Sequence, residues 1–169
     1  LTVATTTDEW RADHVVIALP PALAVHAIEL PKSLPNELVE IAARTPVWMG
    51  DSVKVVASYD EPFWRTEGFA GAAMSRRGPL AEIHDMSGPG GEPAALFGFA
   101  RAASMHGGIE TDIREQLTRM FGPHAGAPIE LLIQDWSQEK WTAAPNTGRS
   151  PEYGMFGHPI YQHPALEGR

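Results

Sequence analysis

Apolar residues fall partly in short runs and partly at helical spacing, and this division predicts the elements. Leu1 to Thr7 alternates apolar with hydroxyl residues, Val15-Val16-Ile17-Ala18-Leu19 is wholly apolar, and the polar Asp8-Glu9-Trp10-Arg11 separates them. The first twenty residues therefore read as a two-stranded hairpin. Pro20-Pro21 ends the second strand and opens a short helix to Ile28, because proline suits the first helical position. A second helix is predicted from Asn36 to Arg44, with Leu38, Ile41 and Ala42 on its apolar face, ending before Pro46. Val53 to Tyr59 is rich in β-branched and small apolar residues, which predicts a strand buried on both faces. Phe69 to Ser75 and Leu80 to Met86 read as further strands joined by the turn-like Arg76-Arg77-Gly78-Pro79, and Ala94 to Ala100 is another, with Phe97 and Phe99 on one face. Ile109, Ile113, Leu117, Met120 and Phe121 keep helical spacing up to Gly122-Pro123, and Ile129 to Gln134 is a last strand. Runs of consecutive strands with segregated helices place the chain in the α+β class.

At 169 residues, 43% of them hydrophobic and 20% charged, the chain is large enough to bury a core and is unlike a disordered segment. The net charge of −8, with no Lys/Arg cluster to offset it, argues against a nucleic-acid footprint. No apolar run approaches a membrane span, and the lack of cysteine excludes disulfides and thiolate metal sites. That lack of cysteine neither supports nor rules out secretion, and of the settings left open a cytoplasmic one is the expectation. Both ends fall within what read as unfinished elements, which suggests a piece of a larger enzyme-like fold.

Candidate chemistry narrows to one residue. Gly88 to Gly91 lacks phosphate-loop spacing and precedes a strand, so it reads as a turn. His158 and His163 sit five apart in a loop without a metal-ligand pattern, and Ser137-Gln138-Glu139-Lys140 has no partner motif for a serine nucleophile, so no metal is expected. Lys54 interrupts the most informative apolar strand, where losing hydration costs free energy unless a partner compensates. An exposed position on an edge strand would also suit it, just as Trp136 and Trp141 would suit a core. The strand ends in Asp60-Glu61-Pro62-Phe63-Trp64, a large aromatic stop.

Several colinear segments together resemble the flavin-containing amine oxidases, the monoamine oxidase and polyamine oxidase superfamily. Ala12 to Pro21 is similar to the family's strand ending in a Leu/Ile-Pro-Pro turn, and Gly50 to Trp64 to its lysine strand closing in Glu-Pro-Phe-Trp. Asp135-Trp136-Ser137 with Trp141-Thr142 resembles the tryptophan segment near the flavin, and Tyr153-Gly154 with Gln162 to Arg169 the run toward the Ala-Gly-Thr-Glu motif. The resemblance implies a mixed, largely antiparallel sheet flanked by helices, with the nucleotide-binding fold lying outside these residues. Residues 32–144 would be a portion of the substrate domain, 1–31 the edge of the FAD domain, and 145–169 a loop returning toward it. The implied reaction oxidises a small-molecule amine to an imine by hydride transfer to FAD, with molecular oxygen as acceptor and peroxide as product. Lys54 would take the catalytic role of holding a water near the flavin, Trp136 and Trp141 would line the pocket, and Pro20 and Pro21 would approach the cofactor. Thr142-Ala143-Ala144-Pro145-Asn146 departs from the family by lacking the tyrosine of its aromatic cage. Without the FAD domain of the same chain, these residues alone are expected neither to retain FAD nor to turn over. The alternatives are a desaturase or protoporphyrinogen-oxidase-like flavoprotein and a non-catalytic α+β binding module.

Overall fold

The computed structural model describes residues 1–142 and 153–166, which form two compact units. One comprises residues 1–50 and 140–169, the other residues 51–139. In the first unit, β1 (Thr2–Ala4) pairs antiparallel with β2 (Glu9–Arg11). The hairpin is thus tighter than the pattern predicts. Val15 to Leu19 forms no strand: Val16 is 90% exposed, and the run has no pairing partner among the described residues. Pro20 caps α1 (Pro21–Ala27) and Pro21 takes its first position. Helix α2 (Asn36–Arg44) matches the prediction, and Ala22, Leu23 and Val47 make a small apolar cluster. Of the loop expected over 145–169, residues 145–152 and 167–169 lie outside the described residues, and Tyr153–Met155 and Pro159–Gln162 are single 3-10 turns.

The second unit is built on a five-stranded sheet of β3 (Ser52–Tyr59), β4 (Ala73–Met74), β5 (Glu82–Asp85), β6 (Ala94–Arg101) and β7 (Glu130–Asp135). Its order is β4-β5-β6-β3-β7 with every described pairing antiparallel, so the α+β architecture with helices against an antiparallel sheet is as expected. The run 69–75 contributes only the two residues of β4. Helix α4 (Ile109–Phe121) begins and ends where its spacing predicts, with Glu110 and Asp112 in the first turn and Arg119 in the last, each favourable to the helix dipole. Its Ile109, Ile113, Leu117 and Phe121 share one core with Val53, Val55, Ala57 and Tyr59 of β3. The Tyr59 hydroxyl donates to the Ala125 carbonyl at 2.8 Å, and burial pushes the phenol well above its ordinary pKa, with Arg114 opposing in part.

Two polar devices hold this core. Gln116, fully buried on α4, donates to the Leu80 carbonyl and accepts from the Leu80 amide, both at 2.8 Å, so its side chain stands in for a neighbouring strand. The aromatic stop after β3 folds as α3 (Phe63–Thr66), which buries Trp64 completely. The Trp64 indole N–H donates to Asp85 Oδ2 at 3.0 Å, Arg65 Nε reaches the same oxygen at 2.7 Å, and the Ser87 amide donates to Asp85 Oδ1 at 2.8 Å. Burial alone would raise the Asp85 pKa, but these donors outweigh it and hold the carboxyl well below the usual range. Gly71, at φ +66°, leaves no room for a side chain, since a Cβ there would lie 2.8 Å from the indole. Glu-Pro-Phe-Trp therefore ties α3 to β5.

Candidate functional site

The sheet has two unlike faces because side chains alternate along each strand. On β3 the odd positions Val53, Val55, Ala57 and Tyr59 are buried under α4, while Ser52, Lys54, Val56 and Ser58 are only partly covered. This corrects the expectation of burial on both faces. It also answers the edge-strand alternative, since β3 lies between β6 and β7. Lys54 is thus a half-buried lysine on an interior strand of an open face.

Register sets its neighbours. Lys54 lies opposite Phe99 on β6 and Gln134 on β7, and Val56 opposite Phe97 and Leu132. Beyond β6, Glu82 pairs with Phe99 and His84 with Phe97. Lys54 Nζ lies 4.9 Å from the Phe97 ring centroid, within cation–π range. The His84 ring stacks on Phe97 at 5.1 Å and 26°, and Phe99 meets Phe97 edge-on at 5.7 Å and 85°. His84 Nε2 lies 3.4 Å from Glu82 Oε2. This face joins a lysine, two phenyl rings and a carboxylate–imidazole pair.

Trp136 follows β7 in a short 3-10 turn that lies against β3, so the unit that carries Lys54 also carries Trp136. Asp135 fixes that turn by accepting from the Ser137 amide at 2.9 Å and the Ser137 hydroxyl at 2.6 Å. The Trp136 indole N–H is buried without a partner among the described residues. A buried donor in that condition costs about 1–3 kcal/mol.

In the first unit the structure brings together three other expected residues. Pro20, Pro21 and Trp141 line one cavity of about 420 Å³ with Val47, Met49 and Phe156. Its wall is mainly apolar, as a planar ring system requires. Trp141 is 56% exposed, and Lys140 Nζ lies 4.7 Å from its ring centroid. The segment that departs from the aromatic-cage pattern lies outside the described residues beyond Thr142. Sequence reasoning put Phe97 and Phe99 on one face of a strand but did not place them beside Lys54. It missed Glu82 and His84, because only the β5–β6 register places them beside Lys54.

The profile of the flavin containing amine oxidoreductases matches residues 1–168. A Dictyostelium discoideum protein named for flavin-containing monoamine oxidase A is 32% identical over 140 residues, covering 79% of this chain and 30% of the relative. The Mycobacterium tuberculosis flavin-containing monoamine oxidase AofH is 33% identical over 164 residues, covering 92% of this chain and 36% of the relative. Among solved structures, cyclohexylamine oxidase from Brevibacterium oxydans IH-35A superposes with a TM-score of 0.73 at 29% identity, covering 83% of this chain and 32% of that one. The chain therefore spans about a third of the length of the curated relatives it matches.

Proposed function

The chain belongs to the flavin containing amine oxidoreductase family, and from that premise we propose that it supplies the Lys54-bearing wall of an active site oxidising an amine to an imine. In this reading the cofactor is FAD, molecular oxygen is the final acceptor, and hydrogen peroxide is the product. When bound, the flavin supplies the hydride-accepting ring. The chain's own residues orient and desolvate. Lys54 holds a water on the open face, and Phe97 and Phe99 keep bulk solvent from it. Trp136 offers its unpaired N–H to a polar atom of the bound group, and the Pro20–Pro21–Trp141 cavity takes an apolar ring. Residues 1–31 and 145–169 serve the edge of the FAD domain and 32–144 the substrate domain, which gives the exposed Val15 to Leu19 run a sheet to join. These residues alone turn over no amine.

The observation that carries this reading is a half-buried lysine on an interior strand of the sheet rather than at its edge. Lys54→Met in the full-length, flavin-loaded enzyme tests it. Stopped-flow absorbance of the reduced enzyme mixed with oxygen should show reoxidation slowed by tenfold or more, with flavin content retained. An unchanged rate would remove Lys54 from the mechanism and favour a relative acting on carbon–carbon bonds.

A further inference from the structure

We propose that Phe97 is the positioning residue for Lys54: its ring holds the amine group over the open face and so sets where the lysine acts. The inference rests on the proposed role of Lys54 and concerns a contact made wholly within this chain. A lysine side chain on an open face can otherwise extend into water, because four rotatable carbons leave its head group free. Here Nζ lies 4.9 Å from the Phe97 centroid instead. Phe97 sits two register pairs along from Lys54 on the same face, opposite Val56, so the lysine must lean along the strand to reach it.

The ring is itself braced. His84 stacks against it at 5.1 Å, Phe99 abuts it edge-on at 5.7 Å, and the β5–β6 pairing that aligns His84 with Phe97 holds the stack in register. Phe97 and His84 are each only partly covered, so this aromatic stack is not simply filling the core under α4. Its ordered product is the location of the Lys54 head group. An aliphatic side chain of similar size would fill the same space without attracting a cation, whereas tyrosine would keep the attraction.

The test uses the full-length, flavin-loaded enzyme with lysine-selective ¹³C labelling, the Lys54 signal being assigned through Lys54→Arg. The Lys54 ε-methylene protons should resonate upfield under the Phe97 ring current. Phe97→Leu should abolish that displacement and Phe97→Tyr should retain it, with Phe97→Met replacing the leucine variant if that one fails to fold. The oxygen step should slow about two- to fivefold in Phe97→Leu, the range a surface cation–π contact implies, and stay within twofold of wild type in Phe97→Tyr. In a Lys54→Met background, Phe97→Leu should add nothing, because the ring acts through the lysine. An unmoved Lys54 resonance in Phe97→Leu, or an equal slowing with and without the lysine, overturns the inference. If Lys54→Met alone leaves the oxygen step unchanged, the role proposed for the lysine fails, and the resonance still decides whether Phe97 holds it.

Discussion

Asp85→Asn should unfasten α3 from β5 by a predictable amount. The carboxylate accepts three donors, from Trp64 and Arg65 on one oxygen and from the Ser87 amide on the other. Asparagine presents one acceptor and one NH₂, so whichever way the amide turns, at least one donor faces another donor. The better orientation keeps the amide oxygen on Trp64 and Arg65 and turns the NH₂ against the half-buried Ser87 amide. Leaving such a group unpaired costs about 1–3 kcal/mol. The Arg65 pair adds little, because 37% of the arginine side chain is exposed and solvent screens it. The expected loss is about 2–3 kcal/mol, a shift of about 1 M in a urea midpoint at ordinary slopes.

The pH dependence gives a second readout. Because the native carboxyl titrates well below its unfolded value, the unfolded chain takes up a proton first as the pH drops below about 4. The stabilisation from Asp85 is complete above that pH and is lost as the pH falls toward the native value. Urea unfolding monitored by tryptophan fluorescence from pH 7 to pH 2 should therefore show a gap between wild type and Asp85→Asn that narrows below pH 4. Equal midpoints at pH 7, or a gap that stays constant into acid, would refute the clamp.

Two further changes probe other parts of the second unit. Gln116→Met keeps the volume but strands the amide and carbonyl of Leu80, so about 2–4 kcal/mol of stability should go, together with hydrogen-exchange protection at the Leu80 amide; a Leu80 amide as protected as in wild type would dismiss the strand-mimic role. Trp136→Phe removes a buried donor that lacks a partner and should raise the stability of the flavin-free protein by about 1 kcal/mol, whereas a drop in its urea midpoint would show that the indole N–H is already satisfied.

Regular elements were legible where one signal dominated. Helix α4 could be placed to the residue because its apolar spacing runs unbroken to Gly122, whose φ of +89° stops it. Two features hid themselves. Val15 to Leu19 has the composition of a strand, but a strand requires a partner, and composition does not supply one. In β3, apolar residues at both parities, Val55 and Val56 above all, masked the alternation that separates core from open face. Gln116 was obscured for the opposite reason, as a polar residue on the buried stripe of a helix, explicable only through the loop it meets. The residues alone offered Lys54 and the tryptophans as the candidate site. The stack beside Lys54 was not legible, because it depends on which residues of three strands stand opposite one another.

The alternation on β3 has a practical consequence for anyone altering this protein. Odd-numbered positions decide whether the unit folds, and even-numbered positions decide what its exposed surface meets. Val56 and Ser58 can therefore be varied together while the odd-numbered residues are held constant. Core packing and the character of the open face are written on the same eight residues, at alternating positions.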